Sequence, residues 1–109
     1  MDYDKSETEL KNAIALCEFM GGGYEYNPSS WESLMLAIEK IESIRDARQD
    51  RFVSSIGHNF CSIQSTKFRP NENAKNAYYN DSYGKDKKSA VHKATVAFVN
   101  WYNINIKKD

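Results

Sequence analysis

Residues 86–103, DKKSAVHKATVAFVNWYN, are the stretch that decides how this chain folds. Val91, Ala94, Phe98 and Trp101 recur within it at steps of three and four, which places them on one side of an α-helix. The spacing predicts a C-terminal helix, begun by Asp86 or Ser82 as the capping residue. Such a helix needs an apolar partner, so the rest of the chain must supply one.

A second amphipathic stretch, residues 29–48, supplies that partner. Its apolar positions follow the same rhythm at Trp31, Leu34, Met35, Ile38 and Ile41, and Ile44 or Arg45 continues it. Ser29 with Glu32 forms a capping box at its start, and Ser30 with Ser33 is the poorer alternative. Together the two helices are expected to bury Trp31, Trp101 and Tyr102 in the core.

An earlier helix is predicted after a frayed start at residues 1–5. Ser6 with Glu9 makes a capping box, and the helix continues through Leu10, Ile14, Cys17 and Met20. Residues 21–23, three glycines, end it, because glycine accepts the positive φ of a helix C-terminus. Residues 24–26 suggest a short extended piece.

Short β-like runs fill the middle of the chain. Residues 51–56 and 60–66 flank Gly57-His58-Asn59, a turn suited to a tight hairpin. Val53 and Ile56 have opposite parity, which leaves a bulge or an earlier turn open. Residues 69–73 and 80–84 suggest turns, and residues 77–79 a third strand.

The order α-α-β-β-(β)-α therefore predicts a single α+β domain over residues 1–109. Its expected architecture is a small antiparallel sheet of two or three strands covered by three helices. The first helix should sit at an edge or lean on its neighbours. A chain of 109 residues with 40% apolar and 13% aromatic side chains is long enough to bury such a core.

The charges balance to zero over the whole chain but not along it. Residues 1–50 carry eleven acidic and five basic side chains, whereas residues 67–109 carry nine basic and four acidic ones. Nothing global therefore points to nucleic acid or membrane. The asymmetry leaves two interpretations open, a merely solvated surface or a dipolar molecule that steers partners or stacks on a second copy.

The two cysteines, Cys17 and Cys61, lie among apolar neighbours. We interpret them as buried thiols of a reducing cytoplasm, and a disulfide is the alternative that the count alone leaves open. The acidic N-terminus lacks the basic and apolar regions of a secretory signal, and no stretch reaches the ~20 apolar residues of a membrane helix. A cytoplasmic protein with no membrane partner is expected.

Three segments resemble a family of small proteins encoded by bacterial phages and prophages. Residues 16–21, LCEFMG, resemble "IAEFMG"; residues 31–43 resemble "W-x-x-LM-x-x-x-EKIES"; and residues 94–103 resemble "A-x-x-x-FIKWYN". More distantly, the order resembles the phage ABA sandwich domain. The middle of the chain departs from the family pattern, because its hairpin region is polar and asparagine-rich. The resemblance implies a fold and a prophage setting, and no particular activity.

No set of catalytic or cofactor-binding residues emerges from the sequence. The glycines at 21–23 follow a helix, whereas a phosphate cradle leads into one, so a helix stop is the better interpretation. His58 and His92 have no metal-ligand spacing, and a zinc site would need Cys17 or Cys61 to join them across the fold. The carboxylates of one helix, Glu32, Glu39 and Glu42, are interpreted as its wet face and not as an acid–base pair. We expect no enzyme, no cofactor and no metal.

The segment 67–88 interleaves tyrosines with basic side chains. The candidate binding surface that it predicts consists of Tyr78, Tyr79, Tyr83, Lys85, Lys87 and Lys88, with Lys67, Arg69 and Lys75 nearby. Such residues could form a protein interface, stack bases and hold phosphates, or simply cover the sheet with their hydroxyls in water. Binding of a protein partner or self-association is the expected function, and nucleic-acid or nucleotide binding is the alternative.

Overall fold

The computed structural model describes residues 2–21, 26–68 and 77–106, with residues 2–10 described as backbone only. These residues form helices α1 (Asp2–Phe19), α2 (Trp31–Ser43) and α3 (Lys87–Asn105). Between α2 and α3 lie strands β1 (Phe52–Ile56), β2 (Phe60–Ser65) and β3 (Tyr79–Tyr83). The order is α-α-β-β-β-α, and the predicted α+β class is confirmed.

The three strands form one antiparallel sheet in the order β1-β2-β3. Helix α3 packs against β2 and β3, α2 packs against β1 and α3, and α1 contacts α3. The first helix thus leans on its neighbour, as expected. The apolar core between sheet and helices comprises Leu16, Phe19, Leu34, Ile38, Ile41, Phe52, Cys61, Ile63, Tyr78, Ala90, Val91, Ala94, Phe98 and Val99.

Aromatic rings in the core centre on Phe98 of α3. Its ring packs edge-on against Phe52 of β1 at 4.8 Å between centroids and against Phe19 of α1 at 6.2 Å. Trp101 and Tyr102, one turn further along α3, lie within 6 Å of the same ring. Edge-to-face packing of this kind adds to the energy of burial, so Phe98 ties α1 and the sheet to α3.

The helix termini agree with the sequence at Gly21 and Asp86 and differ from it at the starts of α1 and α2. Gly21 adopts a φ of +117° directly after α1, as the predicted glycine stop requires. The predicted frayed start at residues 1–5 is wrong for residues 2–5, because α1 begins at Asp2 and Ser6 lies within the helix. Ser30, the alternative cap, begins α2 by accepting a hydrogen bond from the Ser33 amide. Asp86 caps α3 in the same way, at 2.8 Å from the Ser89 amide.

Helix α2 ends at Ser43, five residues before the predicted end at Arg48. Ile44 turns extended with a ψ of 137°. The Arg45 guanidinium donates to the carbonyls of Glu42 and Ile44, which satisfies acceptors at the helix end. A short loop then closes through backbone bonds between Asp46 and Asp50.

Trp31 is the one predicted core aromatic that the structure places outside. Its side chain is 39% exposed at the first position of α2, and the Lys88 ammonium lies over its ring at 5.8 Å. The prediction that it is buried is wrong. The stripe it was assigned to begins one turn later, at the fully buried Leu34.

The hairpin at residues 57–59 is confirmed, and its register runs without a bulge from Phe52↔Ser65 to Ile56↔Cys61. The third strand exists but lies later than predicted. It covers Tyr79–Tyr83, where residues 80–84 suggested a turn. The predicted extended piece at residues 24–26 and turn at residues 69–73 fall wholly or mostly outside the described residues, and only Tyr26 is described among them.

Candidate functional site

One face of the sheet is covered by the helices, and no helix or strand of the described residues covers the other. Cross-strand partners share a face, so the register defines the second one. We call it the open face, and its residues are Val53, Ser55, Phe60, Ser62, Gln64, Tyr79, Asp81 and Tyr83. Val53, Tyr79 and Tyr83 are 42%, 45% and 62% exposed, which identifies this side as a surface.

The open face is organised in three rows that run across the strands. One end row contains Val53, Gln64 and Tyr79, and the ring of Phe68, just past β2, stacks on Tyr79 at 4.6 Å and 22°. The opposite end row pairs Phe60 with Tyr83, whose ring centroids are 6.0 Å apart. Both ends of the face are therefore aromatic.

Gly57 allows the ring of Phe60 to lie over the hairpin turn. A Cβ at this position would overlap the Phe60 ring atoms. The turn also holds β3, because the Gly84 amide donates to the Asn59 carbonyl at 3.0 Å. The local sequence thus fixes the Phe60–Tyr83 end of the open face.

The middle row is short and polar. It consists of Ser55, Ser62 and Asp81, which are neighbours in the register. The Tyr79 hydroxyl donates to Asp81 Oδ2 at 2.8 Å, and this hydrogen bond raises the pKa of Tyr79. The open face therefore carries an exposed carboxylate between two aromatic ends.

The structure separates the predicted tyrosines. Tyr78 does not belong to the surface, because it is only 8% exposed and packs on Phe98 and Trp101 at 5.4 and 4.6 Å. Its assignment to the candidate binding surface is wrong. Tyr79 and Tyr83 have the same parity in β3 and lie together on the open face.

The predicted lysines are not among the residues of the open face. Lys85 and Lys88 line a concavity with Ser29 and His92, at the start of α3. The Lys88 ammonium donates to the Ser29 carbonyl at 2.9 Å, so its charge holds α2 against α3. Lys87 is exposed in the first turn of α3. Of the outlying cations, Lys67 donates to the Ala47 carbonyl, while Arg69 and Lys75 fall outside the described residues.

Sequence reasoning missed Val53, Phe60 and Asp81 as parts of this surface. Phe60, Ser62 and Gln64 alternate with Cys61 and Ile63 in the sequence. The apolar Cys61 and Ile63 predict which face of β2 lies on the core, but they do not predict a binding surface on the other face. Asp81 looked like a turn residue, because Asn-Asp-Ser is typical of turns. Only the pairing of β3 with β2 places it beside Ser62.

The histidines and glutamates that were candidates for metal binding or acid–base catalysis lie on different elements and do not form one site. His58 lies in the hairpin turn, and His92 lies on α3 with its Nδ1 3.2 Å from the Tyr26 hydroxyl. Glu32, Glu39 and Glu42 are exposed on α2, and Glu42 accepts from the Ser54 hydroxyl. Across residues 2–21, 26–68 and 77–106, no three His, Cys, Asp or Glu side chains gather into a metal-binding group.

Both cysteines are free thiols. Cys61 is fully buried on β2, and burial raises its pKa to about 11, whereas Cys17 is half-buried on α1. The prediction of buried thiols is right for Cys61 and only partly right for Cys17. A nucleophilic thiol needs the opposite shift, towards a lower pKa, so the environment of Cys61 favours an inert thiol.

Comparisons with protein-family models, curated proteins and solved structures give no match to this chain. The resemblance to prophage proteins therefore stays a prediction. Among the helices in the described part of the chain, none has both the length and the apolar character needed to cross a bilayer.

Proposed function

We propose that this chain acts by binding another protein through its open face. The observation that supports the proposal is the composition of that face. An antiparallel sheet with one side on the core normally presents polar side chains on the other. Here four of the eight positions carry apolar or aromatic side chains, namely Val53, Phe60, Tyr79 and Tyr83. Exposed aromatic rings are enriched at protein interfaces, where they bury large area at a small cost in side-chain entropy.

A nucleic-acid partner receives less support from the same contacts. Stacking of bases on tyrosines needs nearby cations to hold the phosphates. Asp81 is the charged residue of the open face, and it would repel a phosphate. The Lys88 ammonium is bonded to Ser29 and the Lys67 ammonium to Ala47, so both are already used within the fold.

A second copy of the chain is also a weaker candidate for the partner. A symmetric dimer would place the same patch on both sides of the interface. Each open face would then bring its Asp81 carboxylate into an interface that offers no opposite charge from the other open face. A different protein can supply the complementary charge.

The setting that we propose is the bacterial cytoplasm, in a prophage context. The free thiols of Cys17 and Cys61 support a reducing compartment. The resemblance of the three helical segments supports the genomic setting. A binding role without chemistry of its own is the function that we infer for such an accessory protein.

The test is an affinity capture from bacterial lysate with matched surface variants. The open-face variant is Val53→Ser with Tyr83→Ser, and the control is Ile14→Ser with Ile104→Ser, which removes exposed apolar side chains from the helices. Each capture is run with and without nuclease treatment of the lysate, and bound proteins are identified by mass spectrometry.

We expect the wild type and the helix control to retain the same protein and the open-face variant to lose it. Retention by all three, or loss by both variants alike, would contradict binding through the open face. Loss of all binding on nuclease treatment would favour nucleic acid. Capture of the chain alone, with a dimer mass in light scattering, would favour self-association.

A further inference from the structure

The middle row of the open face carries one charge and several hydrogen-bond acceptors. Asp81 is the only charged residue among the eight that form the face. Its Oδ2 accepts from the Tyr79 hydroxyl, and Oδ1 accepts no hydrogen bond from any side chain or amide of the described residues. Ser55 and Ser62 place two hydroxyls in the same row. A group that is complementary to this row is therefore a cationic hydrogen-bond donor.

Aromatic ring pairs flank Asp81 at both ends of the open face. Tyr79 and Tyr83 stand two residues on either side of Asp81 on the same face of β3. Phe68 backs the first tyrosine and Phe60 backs the second. The rise of a strand sets the two tyrosines about 13 Å apart along β3, with Asp81 midway between them. A planar side chain lying against one ring can therefore reach the carboxylate with its head.

A guanidinium group matches both features. It is planar, stacks on aromatic faces and donates two parallel hydrogen bonds to a carboxylate. An ammonium group makes a point contact and stacks poorly, and an anion would be repelled. We propose that the open face recognises an arginine-bearing segment of its protein partner, with Asp81 as the guanidinium acceptor and Tyr79 and Tyr83 as the stacking surfaces. This inference rests on the proposed function.

The experiment titrates the full ¹⁵N-labelled chain with a blocked peptide of three Gly-Ser-Arg repeats and follows amide shifts. Two matched peptides replace arginine by lysine or by citrulline, which keeps the shape of arginine and removes its charge. Asp81→Asn is the test variant, because the amide oxygen can still accept from Tyr79. Glu39→Gln, an equivalent change on the exposed side of α2, is the control.

We expect the arginine peptide to shift amides of β2 and β3 and to bind more tightly than the lysine peptide. Asp81→Asn should weaken it about tenfold, the order expected when a charge-assisted pair is lost, while Glu39→Gln leaves it unchanged. Equal binding by citrulline, no effect of Asp81→Asn, shifts confined to the helices, or no shift at all would overturn the inference.

Failure of this inference is distinguishable from failure of the proposed function. If the Val53 and Tyr83 variant loses the captured protein but Asp81→Asn retains it, protein binding by the open face stands and the arginine partner falls. If neither change affects capture, both fall. Loss of capture with Asp81→Asn as well supports both.

Discussion

The ring of Tyr78 stabilises the core by packing, whereas its buried hydroxyl destabilises it. Its ring packs on Phe52, Phe98 and Trp101 and closes the aromatic cluster beneath the sheet. Its hydroxyl is buried without a hydrogen-bond partner among the described residues. Burial raises the pKa of this hydroxyl, and Cys61 nearby adds to the shift. An unpaired buried hydroxyl costs roughly 1–3 kcal/mol.

Removal of that hydroxyl should therefore stabilise the protein. We expect Tyr78→Phe to raise the free energy of unfolding by about 1 kcal/mol, because the ring contacts remain and the desolvation cost disappears. The measurement is urea unfolding followed by circular dichroism. The control is Tyr79→Phe, whose hydroxyl is bonded to Asp81 at the surface and should matter little. A loss of stability in Tyr78→Phe would show that the hydroxyl is bonded after all.

Cys61 predicts a decline of stability at alkaline pH. Burial raises the pKa of its thiol from an ordinary value of 9.0 to about 11, so the unfolded chain ionises first. The contribution of the neutral Cys61 thiol to the stability of the folded state is therefore fully present below pH 9 and is lost as the pH rises through 11. Between pH 8 and 10.5 the loss of unfolding free energy that is due to Cys61 should amount to about 2 kcal/mol.

The measurement compares unfolding of the wild type and Cys61→Ala at both pH values. Other side chains also contribute to stability at alkaline pH, so the difference between the two proteins is the quantity of interest. Cys61→Ala should lose less stability than the wild type on going to pH 10.5. An identical pH dependence in the two proteins would exclude Cys61 as a source.

At the level of elements, the helices could be predicted from the sequence mainly because their apolar residues recur at the helical period. The stripe Val91, Ala94, Phe98 of α3 was readable because each buried residue recurs at the helical step. The third strand was not, because Asn80, Asp81 and Ser82 have low strand propensity and read as a turn. Pairing with β2 overrides that preference, and pairing with a distant segment leaves no local signal.

The exact start of β3 depends on a contact that sequence does not reveal. The buried Gln49 accepts from the Tyr78 amide with its side-chain oxygen at 2.9 Å, and its carbonyl accepts from the Ser65 hydroxyl. The Tyr78 carbonyl in turn accepts from the Ser65 amide. A glutamine from the loop after α2 thus joins β2 to β3. The open face, the candidate site, depends on this register and could not be predicted from residues 67–88 alone.

The start of α2 tests the choice between two serines. Ser30→Ala should cost about 1 kcal/mol of stability, because it removes the acceptor for the Ser33 amide. Ser29→Ala should cost little, since Ser29 contributes its backbone amide and carbonyl to the fold. Urea unfolding of both variants distinguishes them. A larger cost at Ser29 would restore the capping box with Glu32 and contradict the observed cap.

At the scale of the whole molecule, the core and the proposed binding surface lie on opposite sides of one three-stranded sheet. Ile63 on β2 points into the core and is fully buried, whereas Tyr83, on the other face of β3, is 62% exposed. A three-stranded sheet needs only one covered face to be stable when helices pack on it. The second face is then free to carry residues that the core does not need.

This division predicts unequal costs of truncation on the two faces. Ile63→Ala should lose about 2–5 kcal/mol, since it leaves a cavity beneath α3. Tyr83→Ala should lose only about 0.2–1 kcal/mol, the scale of a cross-strand pair with Phe60. Thermal unfolding of the two variants checks the contrast. Comparable losses would mean that the open face is part of the core, and the binding variants would then report on folding instead of recognition.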